Sequence, residues 1–177
     1  MNGSVKILGG LGALFIVLSV IPYLGVVLGI AGVILLLIAL KKFSESEGRK
    51  EIFSLFLKGF LINLIGGIVG GLLLGAGMEV VFGGHSGILN WVLAAVGGVI
   101  LYVSVVWGNY YVKRSFELIA MITGNTLFAW AGKLLFWGAV LFIILIGGVI
   151  SWVGWILTAV AFFTTEEKSV VSEAGQG

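Results

Sequence analysis

Residues 7–40 read ILGGLGALFIVLSVIPYLGVVLGIAGVILLLIAL, an unbroken run of 34 residues without a charge. A straight helix of that length would measure about 51 Å, against a hydrocarbon core of about 30 Å, so the run must fold back on itself. Its interruption is Ile21-Pro22-Tyr23-Leu24-Gly25, which contains the only proline of the chain. Proline removes a backbone donor and glycine accepts positive φ, so this stretch reads as a tight turn between two antiparallel helices, 7–22 and 25–42.

Outward from this hairpin, the rest of the chain divides by the same rule. Apolar stretches 52–77 and 88–112 are each long enough for one tilted crossing. The stretch from Leu127 to Phe163 is again too long for one helix, and Ile146-Gly147-Gly148 is its expected break, giving helices 127–146 and 149–164. The fold class is therefore all-α: a single polytopic transmembrane bundle, 1–177, of about six helices, with two helical hairpins flanking a central helix pair. The hairpin arms are short for full crossings, so each either spans a thin membrane or turns back as a re-entrant element.

Composition agrees. Sixty per cent of residues are apolar and 10% charged, where a soluble domain carries roughly a quarter charged residues. The mean hydropathy is +1.21. Lipid must be the solvent. The net charge of +2 is scattered through short loops and forms no stripe that would fit nucleic acid. Cysteine is absent, which excludes disulfides and thiolate metal sites, and aspartate is absent too. The composition is as compatible with a thermophile source as with plain hydrophobicity. Lys6 precedes an apolar run without a small-residue cleavage site, so the N-terminus is read as retained.

Charge gives the orientation. Lys6, the cluster Lys41, Lys42, Arg49 and Lys50, then Lys113, Arg114 and Lys168 fall on one side of this layout; Lys58 and Lys133 lie a turn or two inside helices, within snorkelling reach of the same side. By the positive-inside rule that side is cytoplasmic, and both termini with it, in a multi-pass protein of the cell membrane. Trp91, Trp130, Trp152, Tyr23, Tyr110 and Tyr111 fall near the expected interfaces, as membrane anchors do.

Sliding the chain on itself by 122 positions superposes the two hairpins. The shift matches Gly10 with Gly132, Ile21 with Ile143, Gly25 with Gly147, Gly32 with Gly154, Ile34 with Ile156, Leu35 with Leu157, Ala39 with Ala161 and Glu45 with Glu167. So biased a composition supplies a good share of such identities by itself. A true repeat would be a parallel one, because four crossings separate the copies.

Glycine is the strongest motif signal, with 29 in the chain. Gly67, Gly71 and Gly75 form overlapping GxxxG steps of a glycine zipper, with Gly66 and Gly70 in a parallel register, and Gly25 and Gly29 form another step. Such grooves let a second helix backbone approach closely in lipid. They serve either packing within this bundle, the simpler reading, or a subunit interface.

No ionisable group falls near the expected midplane. The deep polar residues are neutral, and Asn63 and Ser104 are the candidate polar sites: Asn63 either bonds to a neighbouring helix or faces a solute. Glu79 and the sole histidine, His85, sit in the glycine-rich loop 78–90, where the pair would either be solvated or sense external pH. One histidine without cysteine builds no structural zinc site, and no serine has another base to activate it, so no catalytic, cofactor-binding or metal residues are expected. Two amphipathic segments lie between the helices. Segment 43–53 has Ser44 and Glu47 at capping-box spacing, and segment 113–125 ends at Gly124 like a capped helix. The second either lies at the lipid surface or continues helix 88–112 into water.

Several local strings occur in a recognisable order: Leu-Gly-Gly-Leu-Gly at 8–12, Ile-Pro-Tyr-Leu-Gly at 21–25, Ile-Ala-Leu-Lys-Lys at 38–42, Lys-Arg-Ser-Phe-Glu-Leu-Ile-Ala at 113–120 and Ile-Leu-Thr-Ala-Val-Ala-Phe-Phe at 156–163. From about Ile7 to Phe163 the chain resembles small archaeal membrane proteins grouped as the domain-of-unknown-function 996 family, departing mainly around His85. The resemblance implies a polytopic archaeal membrane protein of unknown function, and no site residues carry over from it. The expectation is a non-enzymatic accessory or scaffolding subunit, in a larger membrane complex such as a respiratory one or in a homo-oligomer. Its partners would be the lipid bilayer and other membrane subunits or itself, with no cofactor. The alternative is a small channel or transporter for a neutral or weakly charged solute.

Overall fold

The computed structural model describes residues 1–82 and 87–166, with the backbone alone for 79–82. These residues form six α-helices: α1 Gly3–Leu18, α2 Gly25–Ser46, α3 Lys50–Phe82, α4 Ile88–Thr123, α5 Thr126–Val140 and α6 Ile146–Thr164, with a single 3₁₀ turn, Leu141–Ile144, after α5. Five spans are long and apolar enough to cross a membrane, counting α5 together with its 3₁₀ turn as Thr126–Ile144, and α1 is shorter than these at 16 residues. The protein is a multi-pass membrane bundle.

The helices form three antiparallel hairpins, α1–α2, α3–α4 and α5–α6, joined in a ring because α2 packs on α3, α4 on α5 and α6 on α1. Each hairpin closes on small residues. A Cβ at Gly12 would lie 2.8 Å from Gly32 O, and one at Gly138 would lie 2.8 Å from Gly147 O. Between hairpins, Gly9 and Gly10 of α1 lie under the rings of Phe162 and Phe163 of α6.

The fully buried core gathers at one end of the ring, where the helices carry their charged residues. It takes Met1 and Val5 of the first segment, Leu36 and Phe43 of α2, Ile52 and Phe56 of α3, Phe116 and Ile119 of α4, Phe128 of α5 and Phe162 of α6. Phe56, Phe116, Phe128 and Phe162 run in a chain of ring contacts with centroids 6.1, 6.1 and 4.9 Å apart. Polar staples fix this end. Asn125 caps α5 by accepting from Leu127 N–H and donates to Ala161 O and to the hydroxyls of Thr164 and Thr165. The ammonium of Met1 donates to Glu166 O at 2.9 Å, and the buried Ser115 hydroxyl donates to Ile52 O.

At the opposite end the hairpins differ in reach. On the helical rise, the 33 residues of α3 span about 50 Å and the 16 of α1 about 24 Å, so the α3–α4 pair extends well beyond the other two. The short hairpins turn in the same way. Tyr23 and Leu145 are the two non-glycine residues with positive φ among the described residues, at 66° and 63°, and they are 122 positions apart. Gly25 and Gly147 are likewise 122 apart: a Cβ at Gly25 would run into Ser19 O, and one at Gly147 into Gly138 O first and then the Leu141–Phe142 peptide, Ser19 and Leu141 being again 122 apart. The offset that aligned the sequences therefore aligns the backbone geometry of the turns, which supports the internal repeat.

Several expected boundaries are corrected. α1 stops at Leu18, and the turn is built on Leu24 N–H bonding back to Pro22 O across the left-handed Tyr23. α3 runs past 77 to Phe82. The α5–α6 break is at Leu145 and not at Gly147-Gly148, because Gly147 is needed inside α6 where its backbone meets α5. Segment 43–53 is no separate helix: α2 continues to Ser46 and α3 begins at Lys50. Ser44 is not an N-cap; its hydroxyl is buried and donates to Arg49 O at 2.6 Å. Segment 113–125 continues α4 to Thr123, with left-handed Gly124 as its cap, and buries Phe116 and Ile119 in the core.

Candidate functional site

Two glycine registers on α3 define the candidate site. Gly59, Gly66, Gly70 and Gly77 are spaced 7, 4 and 7 residues apart, which on a 3.6-residue turn keeps them within about 20° of one line. Beyond Phe56 they are the buried described residues of α3. They face α4 in backbone contact. A Cβ at Gly59 would lie 2.5 Å from Gly108 O, one at Gly70 would lie 2.7 Å from Leu101 N and 2.8 Å from Gly97 O, and one at Gly77 would lie 2.6 Å from Ala94 N. Gly66 receives the Ser104 side chain.

The second register is Gly67, Gly71 and Gly75, turned about 120° away on average. A Cβ at any of the three would meet nothing within 4 Å. Its flanks are exposed apolar side chains, among them Leu64, Ile68 and Leu72. The register expected to hold the bundle together is therefore open, and the neighbouring one, offset by a single residue, forms the intrachain seam. Its signal was present in the 18-residue span from Gly59 to Gly77, which is five helical turns. Gly98 of α4 and Gly148 of α6 are also open, as isolated positions. Gly25 is held against Ser19 O, and the nearest neighbour of Gly29 is Ser19 Cβ at 3.5 Å.

Asn63 and Ser104 both lie in the α3–α4 seam, Asn63 against Gly108 and Ser104 against Gly66. Asn63 Oδ1 is buried without a hydrogen-bond partner, an expensive arrangement where water is scarce. The Glu79 side chain and His85 lie outside the described residues. Among the described residues, no three metal-ligating side chains converge.

Sequence reasoning passed over a groove of about 400 Å³ between α4 and α5, walled by Tyr102, Val106, Trp107, Tyr110, Tyr111 and Phe136. The spacing of the first five residues, i, i+4, i+5, i+8 and i+9, was its sequence signal. Tyr110 and Tyr111 of this set also fall where interfacial anchors are expected.

A family model described as a protein of unknown function (DUF996) matches residues 28–156. An uncharacterized protein of Methanocaldococcus jannaschii is 34% identical over 166 residues, covering 90% of each chain. No solved structure matches the chain.

Proposed function

The chain belongs to the DUF996 family, a family of unknown function, and we propose that it is a non-enzymatic scaffold of the cell membrane that assembles, with itself or with another membrane subunit, through the open glycine face of α3. One observation carries this reading: a Cβ added at Gly67, Gly71 or Gly75 would meet no atom of another helix within 4 Å, although the adjacent register is packed to backbone contact. Glycines in lipid gain nothing from exposure, whereas a flat strip of them admits a second helix at close range. The exposed Leu64, Ile68 and Leu72 supply walls beside that strip.

In this reading the charged end is cytoplasmic, since the Lys and Arg residues of all three hairpins gather there. The solute-pathway alternative draws less from the structure, because Asn63 and Ser104, its best candidates, are wedged into a seam whose backbones touch. Native mass spectrometry of the protein extracted from its own membrane in mild detergent tests the assignment. Assemblies of two or more copies, or a stoichiometric second subunit, are expected, and a lone monomer carrying only lipid would overturn it.

A further inference from the structure

We propose that the α4–α5 groove is a binding site for one chain of an anionic membrane phospholipid, whose headgroup lies against Lys113 and Arg114. The groove runs along α4 from Tyr102 to Tyr111, nine residues or about 14 Å of helix, which matches the roughly 15 Å depth of one leaflet's hydrocarbon. Its walls are aromatic and aliphatic, and on the side away from the charge the Tyr102 hydroxyl bridges α4 to α5 by donating to Val140 O at 2.9 Å. A hydrocarbon tail fits that apolar groove, which lies open to the lipid along its length.

The headgroup end carries the charge complementarity. Lys113 Nζ lies 5.3 Å from the centroid of Phe136, and the Arg114 guanidinium 5.9 Å from that of Tyr110, so both cations sit over rings that wall the groove. Lys133, one turn before Phe136 on α5, lies over Trp130 at 4.9 Å. The opposing charges nearby are Glu117, 3.7 Å from Lys113, and Glu51, which with Arg114 lines the adjoining recess. Cations therefore exceed acids at the mouth. Tyr110 and Tyr111 line this same end of the groove beside the two cations.

The test is lipid retention by the full chain, measured by native mass spectrometry after titration with phosphatidylglycerol or with phosphatidylcholine in detergent. Wild type should retain one phosphatidylglycerol per chain at concentrations about fivefold below those needed for phosphatidylcholine, on roughly fivefold per cation in excess of acids near a membrane surface. Lys113→Gln with Arg114→Gln should erase that preference, Glu117→Gln should increase it, and Val106→Trp should remove the bound lipid whatever its headgroup. Melting curves show whether Val106→Trp folds; the charge variants lie at the rim and keep the test decisive if it does not. Equal retention of the two lipids by wild type, or an unchanged preference in the double variant, would overturn the proposal, as would undiminished retention in a folded Val106→Trp protein.

Discussion

Gly70 and Gly71 are consecutive residues with opposite expected behaviour, and comparing them tests the two-register reading of α3. At Gly70 even the single carbon of alanine would stand 2.7 Å from Leu101 N, 2.8 Å from Gly97 O and 2.9 Å from Leu101 Cβ, where carbon contacts prefer about 3.5–4.0 Å. All three neighbours belong to α4, two of them to its backbone, so relief requires separating the helices by about 1 Å. That separation would also open the contacts at Gly59, Gly66 and Gly77. Overpacking of this kind costs about 1–3 kcal/mol for a small enlargement, and Gly70→Leu should exceed that range. At Gly71 an added Cβ meets nothing within 4 Å, so Gly71→Leu should leave the isolated chain as stable as before or slightly more so, leucine being the better helix former. It should instead weaken assembly by about 1–3 kcal/mol, a roughly 5- to 150-fold rise in dissociation constant, if the face is used as proposed. Thermal melting in detergent reads the first effect, and the assembled fraction against protein concentration in native mass spectra reads the second. A destabilised Gly71→Leu monomer or an unaffected Gly70→Leu protein would refute the assignment of registers. Unchanged assembly of Gly71→Leu would refute the interface.

Other expectations follow from the same contacts. Phe128→Ala removes the ring that links Phe116 to Phe162 and should cost about 3–5 kcal/mol, read as lower resistance to heat or to denaturing detergent. Asn125→Ala loses the cap of α5 together with the two amide hydrogens shared among three acceptors at the end of α6; a loss of about 2–3 kcal/mol is expected, with faster amide exchange in residues 125–128 and 161–165. Leu145→Gly should raise the melting temperature, because a left-handed leucine costs about 1–2 kcal/mol and glycine returns about 0.5–1 of this as lost chain entropy.

The helix count, the single charged end and the Pro22 turn were legible because each rests on length, charge or proline chemistry, all of which act locally. The break before α6 was not. Both glycines that looked like its hinge are helical, and a leucine takes the left-handed position, because Gly147 is small for the sake of α5 and Leu145 is left to make the turn. The role of 113–123 was half legible: Phe116 and Ile119 mark an apolar face, but periodicity does not say whether lipid or five other helices cover it. The glycine registers posed the same difficulty, since GxxxG steps on two faces of one helix look alike until a neighbour occupies one of them. The aromatic groove was hidden for a related reason, as tyrosines and tryptophans at a bilayer interface read as anchors whether or not a cleft lies between them.

The contact between the Met1 ammonium and Glu166 O joins the start of α1 to the end of α6, and the core beside it draws on all three hairpins. During synthesis the ribosome delivers α1–α2 and then α3–α4 to the bilayer before α6 has left the exit tunnel, so the ring has no closing partner. Until then Phe56 has Phe116 of its own hairpin to stack on, but Phe116 lacks Phe128 and the core of the first two hairpins lacks its cover from α5 and α6. The molecule thus acquires its core in one late step, and chains truncated before α6 should be recognised by membrane proteases as unfinished.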